Sequence, residues 1–549
     1  MYEAKYSKYI THSVARFAQD DEIKAVCEPV RKGCETDACG AILHACNDTL
    51  YVDNSDAHYY IQGGTGSKKT RTEVVNIIRT IFRSSQKEAV VINDPKSEIY
   101  AKTAADAKKN GYDIYVLNFR DASKSHGWNP MMLARLFERA GDSAAAEQAI
   151  SDFKQTMIGP LLENTVDRYW ADLAGQVIAY STALLEDTVP DEALHVANLQ
   201  QMTNEQNEGL LREIMQTMDP HCNAYISARG IFDLKAEKTS SCIYSTTKQC
   251  LIPYCESKSL RELLCSNDID FESLVRGKTV IYIIYPDEKT ALGFLVNLFF
   301  TQCYQYLISR SATMPQHRLK KRVNFIYDEF SNLPALENFD NRISEARGHN
   351  IRFFLISQSF SQLKIKYQEN AQTILANCDW IIFPSKDILF YEQLLEPLCG
   401  RIFDYYERET PLISAFQMQH LRKSKTGAEV LVIKTGQYPF VTIIPDYEYT
   451  DIFEHYPDAA LEVIEQTCNP IYLTFMDWVN GIGTCFNHPF PKEKRTVDLR
   501  YQSAKPGADS DKKNAKNHQT KDQDMQNLEK ELKRKFDEIF ETVENEEDA

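Results

Sequence analysis

The chain has 549 residues, of which 43% are hydrophobic and 26% charged, a composition typical of a soluble globular protein of two or three domains. Its net charge of −16 excludes a generic nucleic-acid binder, but not a basic lining confined to a groove or pore. Residues 1–22 are polar, and the most apolar stretch, 291–308, contains Asn297, Thr301 and Gln302. We therefore expect no export signal and no membrane-spanning helix.

Residues 1–57 are interpreted as an irregular, mostly helical lead-in, and four of the 14 cysteines lie within it. These are Cys27, Cys34, Cys39 and Cys46. The intervening gaps of six, four and six residues differ from the close cysteine pairs of most zinc sites. Reduced thiols in a cytoplasm are the favoured interpretation, and a zinc site that includes His44 is the alternative.

A phosphate-binding loop is predicted after the strand candidate HYYIQ (58–62) and before a helical stretch, which is the context such a loop requires. In the pattern G-x-x-x-x-G-K-[ST], backbone N–H groups surround phosphate, the lysine reaches the β and γ oxygens, and the hydroxyl binds Mg²⁺. Lys69 and Thr70 occupy the last two positions. The residues predicted to bind the nucleotide are Gly63, Gly64, Thr65, Gly66, Ser67, Lys68, Lys69 and Thr70.

One position of the loop departs from the pattern, because Lys68 stands where the last glycine is expected. A Cβ at this position crowds the approach of the backbone to the β-phosphate, whereas a second cation beside a polyphosphate is attractive. We expect the steric effect to dominate, with weaker nucleotide binding and slower turnover. The stretch is interpreted as a genuine nucleotide site in which catalysis is either retained or impaired.

Apolar strand candidates stand on both sides of a long helical region. They are 58–62, 88–94, 113–119, 278–286, 323–330, 350–359, 379–384 and 429–436. The pattern predicts an α/β domain, residues 58–130 and 276–450, with a parallel sheet buried on both faces. Residues 131–275 are predicted to form an inserted all-α domain.

The C-terminal part is predicted to be helical and then disordered. A helical extension is expected over 451–502, and residues 503–521 are too polar to pack. Residues 522–549 are predicted to form an amphipathic tail helix, which either docks a partner or a neighbouring subunit or folds only in part.

The strand candidate VNFIYDEF ends in Asp328 and Glu329, the pair expected of a Walker B element. Asp328 and Thr70 are predicted to hold Mg²⁺, and Glu329 to polarise the attacking water. Gln358, at the end of the next strand, is interpreted as a γ-phosphate sensor, with a polar cap of the sheet edge as the alternative. Arg347, on the loop before that strand, is either an arginine finger for a neighbouring subunit or a surface arginine.

These motifs occur in an order that closely resembles the type IV secretion coupling proteins of the TraG/TraD group, the DNA-pumping ATPases of conjugation. The resemblance runs from about residue 50 to 450. It is carried by GGTGSKKTR, VVINDPKSEIY, YVLNFRDASKSHGWNP, AEKTSSCIYSTT, NFIYDEFSNLPAL, ISEARGHNIRFFLISQSFSQLKIKY and ANCDWIIFPS. It implies a RecA-like P-loop NTPase motor domain, an all-α domain that meets cargo, and a homo-hexamer around a DNA channel.

The resemblance also implies ATP and Mg²⁺ as ligands. The implied partners are single-stranded DNA, a relaxase or relaxosome, and subunits of a type IV secretion channel. Ser97 replaces the glycine of the family's DPKGE strand end, but two other departures matter more: Lys68 in the phosphate loop, and the usual N-terminal transmembrane helices, which are not recognisable. We therefore expect a cytoplasmic protein, peripheral at the inner face of the membrane, without direct insertion.

The sequence supports two alternative hypotheses about function, a motor and a non-motor adaptor. The first is an ATP-dependent coupling protein that recruits relaxase–DNA cargo and pumps it to the secretion channel. Basic patches at 317–322, 364–366 and 422–425 are its candidate DNA contacts, although solvated surface is the favoured interpretation of each patch taken singly. The second is a catalytically impaired soluble adaptor that recruits cargo without acting as a motor.

Overall fold

The structure, a computed structural model, describes residues 15–482 apart from 47, 65, 165–167, 233–236, 287, 385–386, 404–408 and 466–468. The predicted linker 503–521 and tail helix 522–549 lie outside the described residues. In chain order the strands are β1 (Glu28–Arg31), β2 (Ile42–Cys46), β3 (Thr49–Val52), β4 (Tyr59–Gln62), β5 (Ala89–Asn93), β6 (Asp113–Asn118), β7 (Thr279–Ile284), β8 (Val323–Tyr327), β9 (Ile351–Ser357), β10 (Trp380–Phe383), β11 (Arg401–Phe403), β12 (Glu409–Pro411), β13 (Gly427–Lys434) and β14 (Phe440–Pro445).

A nine-stranded sheet organises the described chain, in the order β14-β13-β10-β4-β9-β8-β5-β7-β6. The strands from β10 to β6 in this order are parallel, and the antiparallel hairpin β13–β14 extends the sheet beside β10. Every residue of β5, β7, β8 and β9 is buried, because helices cover both faces of a parallel sheet. Each of the eight strand candidates corresponds to a strand of this sheet, so the predicted α/β fold is confirmed.

The helices lie mainly between these strands and in the insertion. In chain order they are α1 (Asp20–Ala25), α2 (Val75–Arg83, continuing a π-helical turn Thr70–Val74), α3 (Glu98–Lys109), α4 (Met132–Arg139), α5 (Ser143–Asn164), α6 (Arg168–Thr188), α7 (Val196–Met202), α8 (Glu208–Gln216), α9 (Asn223–Phe232), α10 (Glu237–Cys255), α11 (Lys258–Cys265), α12 (Glu272–Arg276), α13 (Thr290–Ala312), α14 (Phe339–Ala346), α15 (Phe360–Tyr367), α16 (Asn370–Ala376), α17 (Ile388–Phe390), α18 (Glu396–Cys399), α19 (Ala415–Gln419) and α20 (Phe475–Ile482).

Residues between β6 and β7 form the inserted helical region. Wherever this stretch is described, it contains helices and no strand, as predicted. Helix α6 is its centre, since α5, α9 and α10 all pack against it. Small residues at Ala171, Ala174 and Gly175 are buried there and let neighbouring helices approach closely.

The N-terminal region differs from the prediction of a mostly helical lead-in. Within residues 15–57, β1, β3 and β2 form a small antiparallel sheet, and α1 is a single short helix. Strand β2 packs on β14, where the His44 ring contacts Thr442 Oγ1 through Nδ1 (3.0 Å). The prediction was wrong because strands of four or five residues are too short to establish a clear period, and their partner β14 lies almost 400 residues away.

The apolar stretch 291–308 forms most of α13. Among the described helices, α13 is the one long and apolar enough to cross a membrane, and 67% of its apolar window is buried inside the protein.

Candidate nucleotide-binding site

The predicted phosphate loop connects β4 to the helical turn before α2, at the carboxyl edge of the parallel strands. Gly63 N–H donates to the carbonyl of Ser357 at the end of β9 (2.9 Å), which fixes the start of the loop. A Cβ on Gly63 would lie 2.4 Å from Ser67 Oγ, so a side chain at this position would have to displace Ser67 within the loop. Gly66 has a φ of 74°, which turns the backbone as a phosphate-binding loop requires. Thr65 lies outside the described residues.

Lys69 of the phosphate loop and Glu329 of the Walker B element form an ion pair in this structure. Lys69 Nζ donates to Glu329 Oε1 at 2.8 Å, and the two side chains are only 8% and 6% exposed. Glu329 is the second residue after β8, following Asp328, and has a φ of 59°. A buried ion pair holds each partner firmly, because breaking it leaves an unpaired buried charge. Two motifs 260 residues apart are thus brought into one centre.

Burial sets the protonation of the carboxyls in this centre. The pKa of Asp328 is raised to about 7, first by burial and then by the nearby charge of Glu329, and Lys69 opposes this rise only in part. Burial also raises the pKa of Asp94, at the end of β5, to about 6, although Tyr100 N–H donates to its carboxylate (2.7 Å). A cation that arrives beside Asp328 therefore competes with a proton.

Asp328 and Thr70, a carboxylate and a hydroxyl, have the oxygen chemistry that suits Mg²⁺, and their role as its ligands stays a prediction. Asp328 Oδ1 and Glu329 Oε2 are buried and have no hydrogen-bond partner among the described residues, so both oxygens have lone pairs to offer. Thr70 begins the helical turn that follows Lys69. Nowhere in the described chain do three or more His, Cys, Asp or Glu side chains form a metal-holding group, the four N-terminal cysteines included. A Mg²⁺ ion at Asp328 would thus take most of its ligands from nucleotide and water.

Lys68 adopts a backbone conformation suited to the glycine that it replaces. Its φ is 68°, in the left-handed region, and its side chain turns toward the β13–β14 hairpin. Lys68 Nζ donates to the carbonyls of Ser424 (2.8 Å) and Lys425 (3.3 Å) and to Asp446 Oδ2 (3.2 Å). Arg71 binds the same carboxylate through two hydrogen bonds of 2.8 Å. The pKa of Asp446 is lowered, because these cations outweigh the opposing effect of burial.

The two remaining predicted residues lie at opposite edges of the sheet. Gln358 follows β9 directly, beside the strand end that receives the Gly63 hydrogen bond. Arg347 precedes β9 and pairs with Asp379 (2.9 Å) and Asp56 (3.2 Å), which precede β10 and β4. The amino ends of parallel strands lie away from the phosphate loop, so Arg347 is remote from its own chain's loop. Its action on a neighbouring subunit stays a prediction.

Two features of the site were not predicted from the sequence. Arg71 and Asp446 attach the phosphate loop to the hairpin, and Glu448 adds a second ion pair to Arg71 (2.7 Å). Glu73, one helical turn after Lys69, is fully buried, and no hydrogen bond reaches either carboxylate oxygen among the described residues. Burial raises the pKa of Glu73 to about 8, so this side chain is largely neutral at pH 7. No local pattern distinguishes a buried from an exposed glutamate in a helix.

The basic patches have separate locations. In the patch 317–322, Arg322 pairs with Glu88 (3.4 Å) at the amino edge of the sheet. In the second patch Lys366 donates to the carbonyl of Ser331 (2.6 Å), directly after the second motif. The third patch lies against the phosphate loop, since Lys68 contacts its backbone. Their predicted contacts with DNA stay predictions.

A parallel α/β sheet with a predicted phosphate loop after β4 and an acidic pair after β8 is the arrangement of the P-loop NTPase fold. The family model described as "Type IV secretory system Conjugative DNA transfer" matches residues 16–389, and the chain belongs to this family.

Curated relatives are similar over different lengths. The conjugal transfer protein TraG of Escherichia coli is 26% identical over 411 residues, which cover 68% of this chain and 62% of TraG. Protein VirD4 of Rhizobium radiobacter is 31% identical over 119 residues, or 21% of this chain and 17% of VirD4. The chain thus spans about three fifths of the length of TraG and a smaller share of VirD4.

Solved structures show the same fold. The plasmid coupling protein TrwB in complex with the GTP analogue GDPNP has a TM-score of 0.50 at 15% identity, covering 82% of this chain and 97% of TrwB. TrwB in complex with the ATP analogue ADPNP has a TM-score of 0.50 at 14% identity, covering 82% of this chain and 98% of TrwB.

Proposed function

We propose that the protein is an ATP-dependent coupling protein of conjugative DNA transfer. The observation that carries the proposal is the buried contact between Lys69 of the phosphate loop and Glu329 after β8, 2.8 Å apart. This contact supports the proposal, because phosphoryl transfer needs a phosphate-binding lysine and a carboxylate for the attacking water close together. Family membership and the nucleotide complexes of TrwB support the same conclusion.

In this proposal the Lys69 amine leaves Glu329 and binds the β and γ oxygens of ATP, while the N–H groups of the loop surround the β-phosphate. Thr70 and Asp328 would hold Mg²⁺, which when bound offsets negative charge on the phosphates. Glu329, released from Lys69, accepts the proton of the water that attacks the γ-phosphorus, and the bond to the β–γ bridging oxygen breaks. Gln358 contacts the γ-phosphate.

In this proposal the Lys69–Glu329 pair keeps Glu329 from the attacking water until Lys69 has moved to the phosphates of a bound nucleotide. As long as Glu329 Oε1 accepts from Lys69 Nζ, that carboxylate oxygen is occupied by the ammonium group. Polyphosphate offers Lys69 a stronger partner than one carboxylate. Binding therefore assembles the catalytic arrangement.

The remaining parts of the proposal concern assembly and cargo. The protein forms a homo-hexamer at the inner face of the membrane, with Arg347 acting on the neighbouring nucleotide. It recruits a relaxase bound to single-stranded DNA and passes it to type IV secretion channel subunits. The inserted helical region, α4 to α12, is the proposed contact for cargo.

The experiment is an ATPase assay of the purified protein with Mg²⁺, with and without single-stranded DNA. We expect hydrolysis that DNA stimulates, and its loss in Glu329→Gln and Lys69→Ala. The matched control is Lys108→Ala, an exposed lysine of α3. Hydrolysis that persists in Glu329→Gln removes Glu329 from the catalytic role, and a parent protein that neither binds nor hydrolyses ATP contradicts the proposal.

A further inference from the structure

The inserted helical region holds a segment from the C-terminal part of the chain in a groove. Residues 471–482, which we name the docked segment, contact Thr188 at the end of α6, Glu192, and the start of α7. Between β14 and the docked segment, the residues that the structure describes form no helix or strand. The segment is therefore bound to the insertion in the manner of a tethered ligand.

The insertion binds the first part of the docked segment through its backbone. The carbonyl of Ile471 accepts from Asn198 Nδ2 (2.9 Å) and from His195 Nε2 (3.0 Å), and its N–H donates to the carbonyl of Glu192 (2.8 Å). Asn198 Oδ1 accepts from Leu473 N–H (2.9 Å), and Asn198 is only 3% exposed. Contacts to main-chain groups do not depend on the side chains of the bound peptide. A different peptide in the same conformation therefore satisfies them equally well.

Two aromatic side chains anchor the second part, which is helix α20. Phe475 and Trp478 are buried, and Trp478 Nε1 donates to Thr188 Oγ1 (2.9 Å). A capping box starts the helix, since Asp477 N–H donates to Thr474 Oγ1 (3.1 Å) and Thr474 N–H donates to Asp477 Oδ2 (3.0 Å). Buried aromatic anchors supply most of the affinity at protein interfaces. The docked segment thus has the composition of a short recognition motif.

The docked segment does not fill its groove. A cavity of about 390 Å³ lies beside Tyr472 and Leu473, and its other walls include Asn198 together with Lys258 and Arg261 of α11. The groove therefore has room for a larger ligand than the segment that occupies it.

We propose that this groove is a peptide-recognition site, and that the docked segment is an internal competitor of a segment from a partner protein. The partner's segment has the same chemistry: an extended stretch, a Ser or Thr cap, and aromatic residues at the first and fourth positions of a short helix. The inference rests on the proposed function for its partner, because the insertion is the proposed contact for protein cargo. A tethered competitor has an effective concentration of roughly millimolar, so the groove is closed until the partner displaces it.

The test measures binding of a free copy of the docked segment to the full-length protein. The probe is a fluorescein-labelled peptide of residues 469–482, NPIYLTFMDWVNGI, titrated by fluorescence anisotropy. The parent should bind it weakly, and Trp478→Ala should bind it at least about tenfold more tightly, because its own segment has lost an anchor. Leu473→Pro removes the N–H that Asn198 accepts and leaves both aromatic anchors in place, so it should also bind the probe more tightly than the parent.

Matched variants decide whether the groove binds the probe. Trp478→Ala/Asn198→Ala should lose the gain in affinity, and Trp478→Ala/Asn370→Ala should keep it, because Asn370 is exposed on α16 and does not contact the groove. A probe that carries Trp478→Ala should bind at least about tenfold more weakly. Equal affinities of the parent, Trp478→Ala and Leu473→Pro, or of the two probes, would overturn the inference, as would a gain that survives Asn198→Ala. Circular dichroism on heating identifies any variant that has unfolded.

Failure of the inference is distinguishable from failure of the proposed function. If the parent hydrolyses ATP with stimulation by DNA and no variant gains affinity for the probe, the proposed function stands and the inference is wrong. If the parent neither binds nor hydrolyses ATP while Trp478→Ala binds the probe through Asn198, the groove is a peptide-recognition site and the proposed motor function is wrong.

Discussion

The left-handed backbone at position 68 predicts an unusual order of stability among variants. At φ 68° a Cβ costs about 1–2 kcal/mol, and glycine removes this cost. Part of the gain is lost, since glycine orders more backbone on folding, by about 0.5–1 kcal/mol. We therefore expect Lys68→Gly to be more stable than Lys68→Ala by about 0.5–1 kcal/mol.

The alanine variant separates the contribution of the Lys68 amine to stability from that of the left-handed backbone. Lys68→Ala keeps the strained φ and loses three contacts of Nζ, to Ser424, Lys425 and Asp446. Asp446 keeps its two hydrogen bonds from Arg71, so no buried carboxylate is left unpaired. The loss should therefore be about 1–2 kcal/mol. Lys68→Gly should lie between Lys68→Ala and the parent, or close to the parent.

Urea unfolding of the three proteins measures these differences. The control is Lys248, an exposed lysine within α10, where the glycine variant should be less stable than the alanine variant by about 1 kcal/mol. If glycine is more stable than alanine at position 68 and less stable than alanine at position 248, the left-handed conformation at Lys68 is supported. The same order at both sites would refute it.

The structure also changes the expected effect on binding. The sequence alone predicts that Lys68 crowds the β-phosphate, so that glycine would tighten ATP binding. Because the backbone already has a glycine-like conformation and the amine points to the hairpin, we expect Lys68→Gly to bind ATP no more tightly than the parent. Tighter binding in calorimetry would restore the steric interpretation.

Glu329→Gln should bind Mg·ATP at least as tightly as the parent while losing hydrolysis, because Lys69 no longer has to leave an ion pair; weaker binding by calorimetry would contradict this. Glu73→Gln should stabilise the protein, and the gain should grow as the pH rises from about 4.5 to 8, since the unfolded side chain loses its proton in this range and the folded one keeps it. Urea unfolding at pH 5 and pH 8 measures the gain, and one that does not depend on pH would contradict the buried neutral carboxyl. Gly63→Ala should abolish nucleotide binding, because its Cβ would meet Ser67 Oγ at 2.4 Å. Gly348→Ala, with open space around it, is the control, and equal effects of the two would contradict the loop geometry.

The local sequence was sufficient for the sheet domain and its two motifs. Continuous apolar runs predicted every strand from β4 to β10 and β13, because strands buried on both faces need apolar residues at successive positions. Lys69 with Thr70, and Asp328 with Glu329, were recognisable because each pair belongs to a short motif that follows an apolar strand. Both the α/β fold and the family resemblance followed from such local patterns.

Position 97, where serine replaces a glycine of the family motif, shows that such a substitution need not change the backbone conformation. Ser97 has a φ of 56°, so like Lys68 it keeps the left-handed conformation of the glycine that it replaces. The sequence shows the substitutions but not whether the backbone changes with them. In both places the surrounding hydrogen bonds hold the conformation, at a cost in local strain.

By itself, the sequence determined the order of strands and helices along the chain and the chemical character of the loop. The tertiary structure decided which carboxylates meet the lysines: Glu329 for Lys69 and Asp446 for Lys68. It also decided that the N-terminal region is a small sheet on β14 and that Arg347 lies at the far edge from the loop. The physical reason is that each of these contacts joins residues hundreds of positions apart, whereas propensity and periodicity report only on neighbours along the chain.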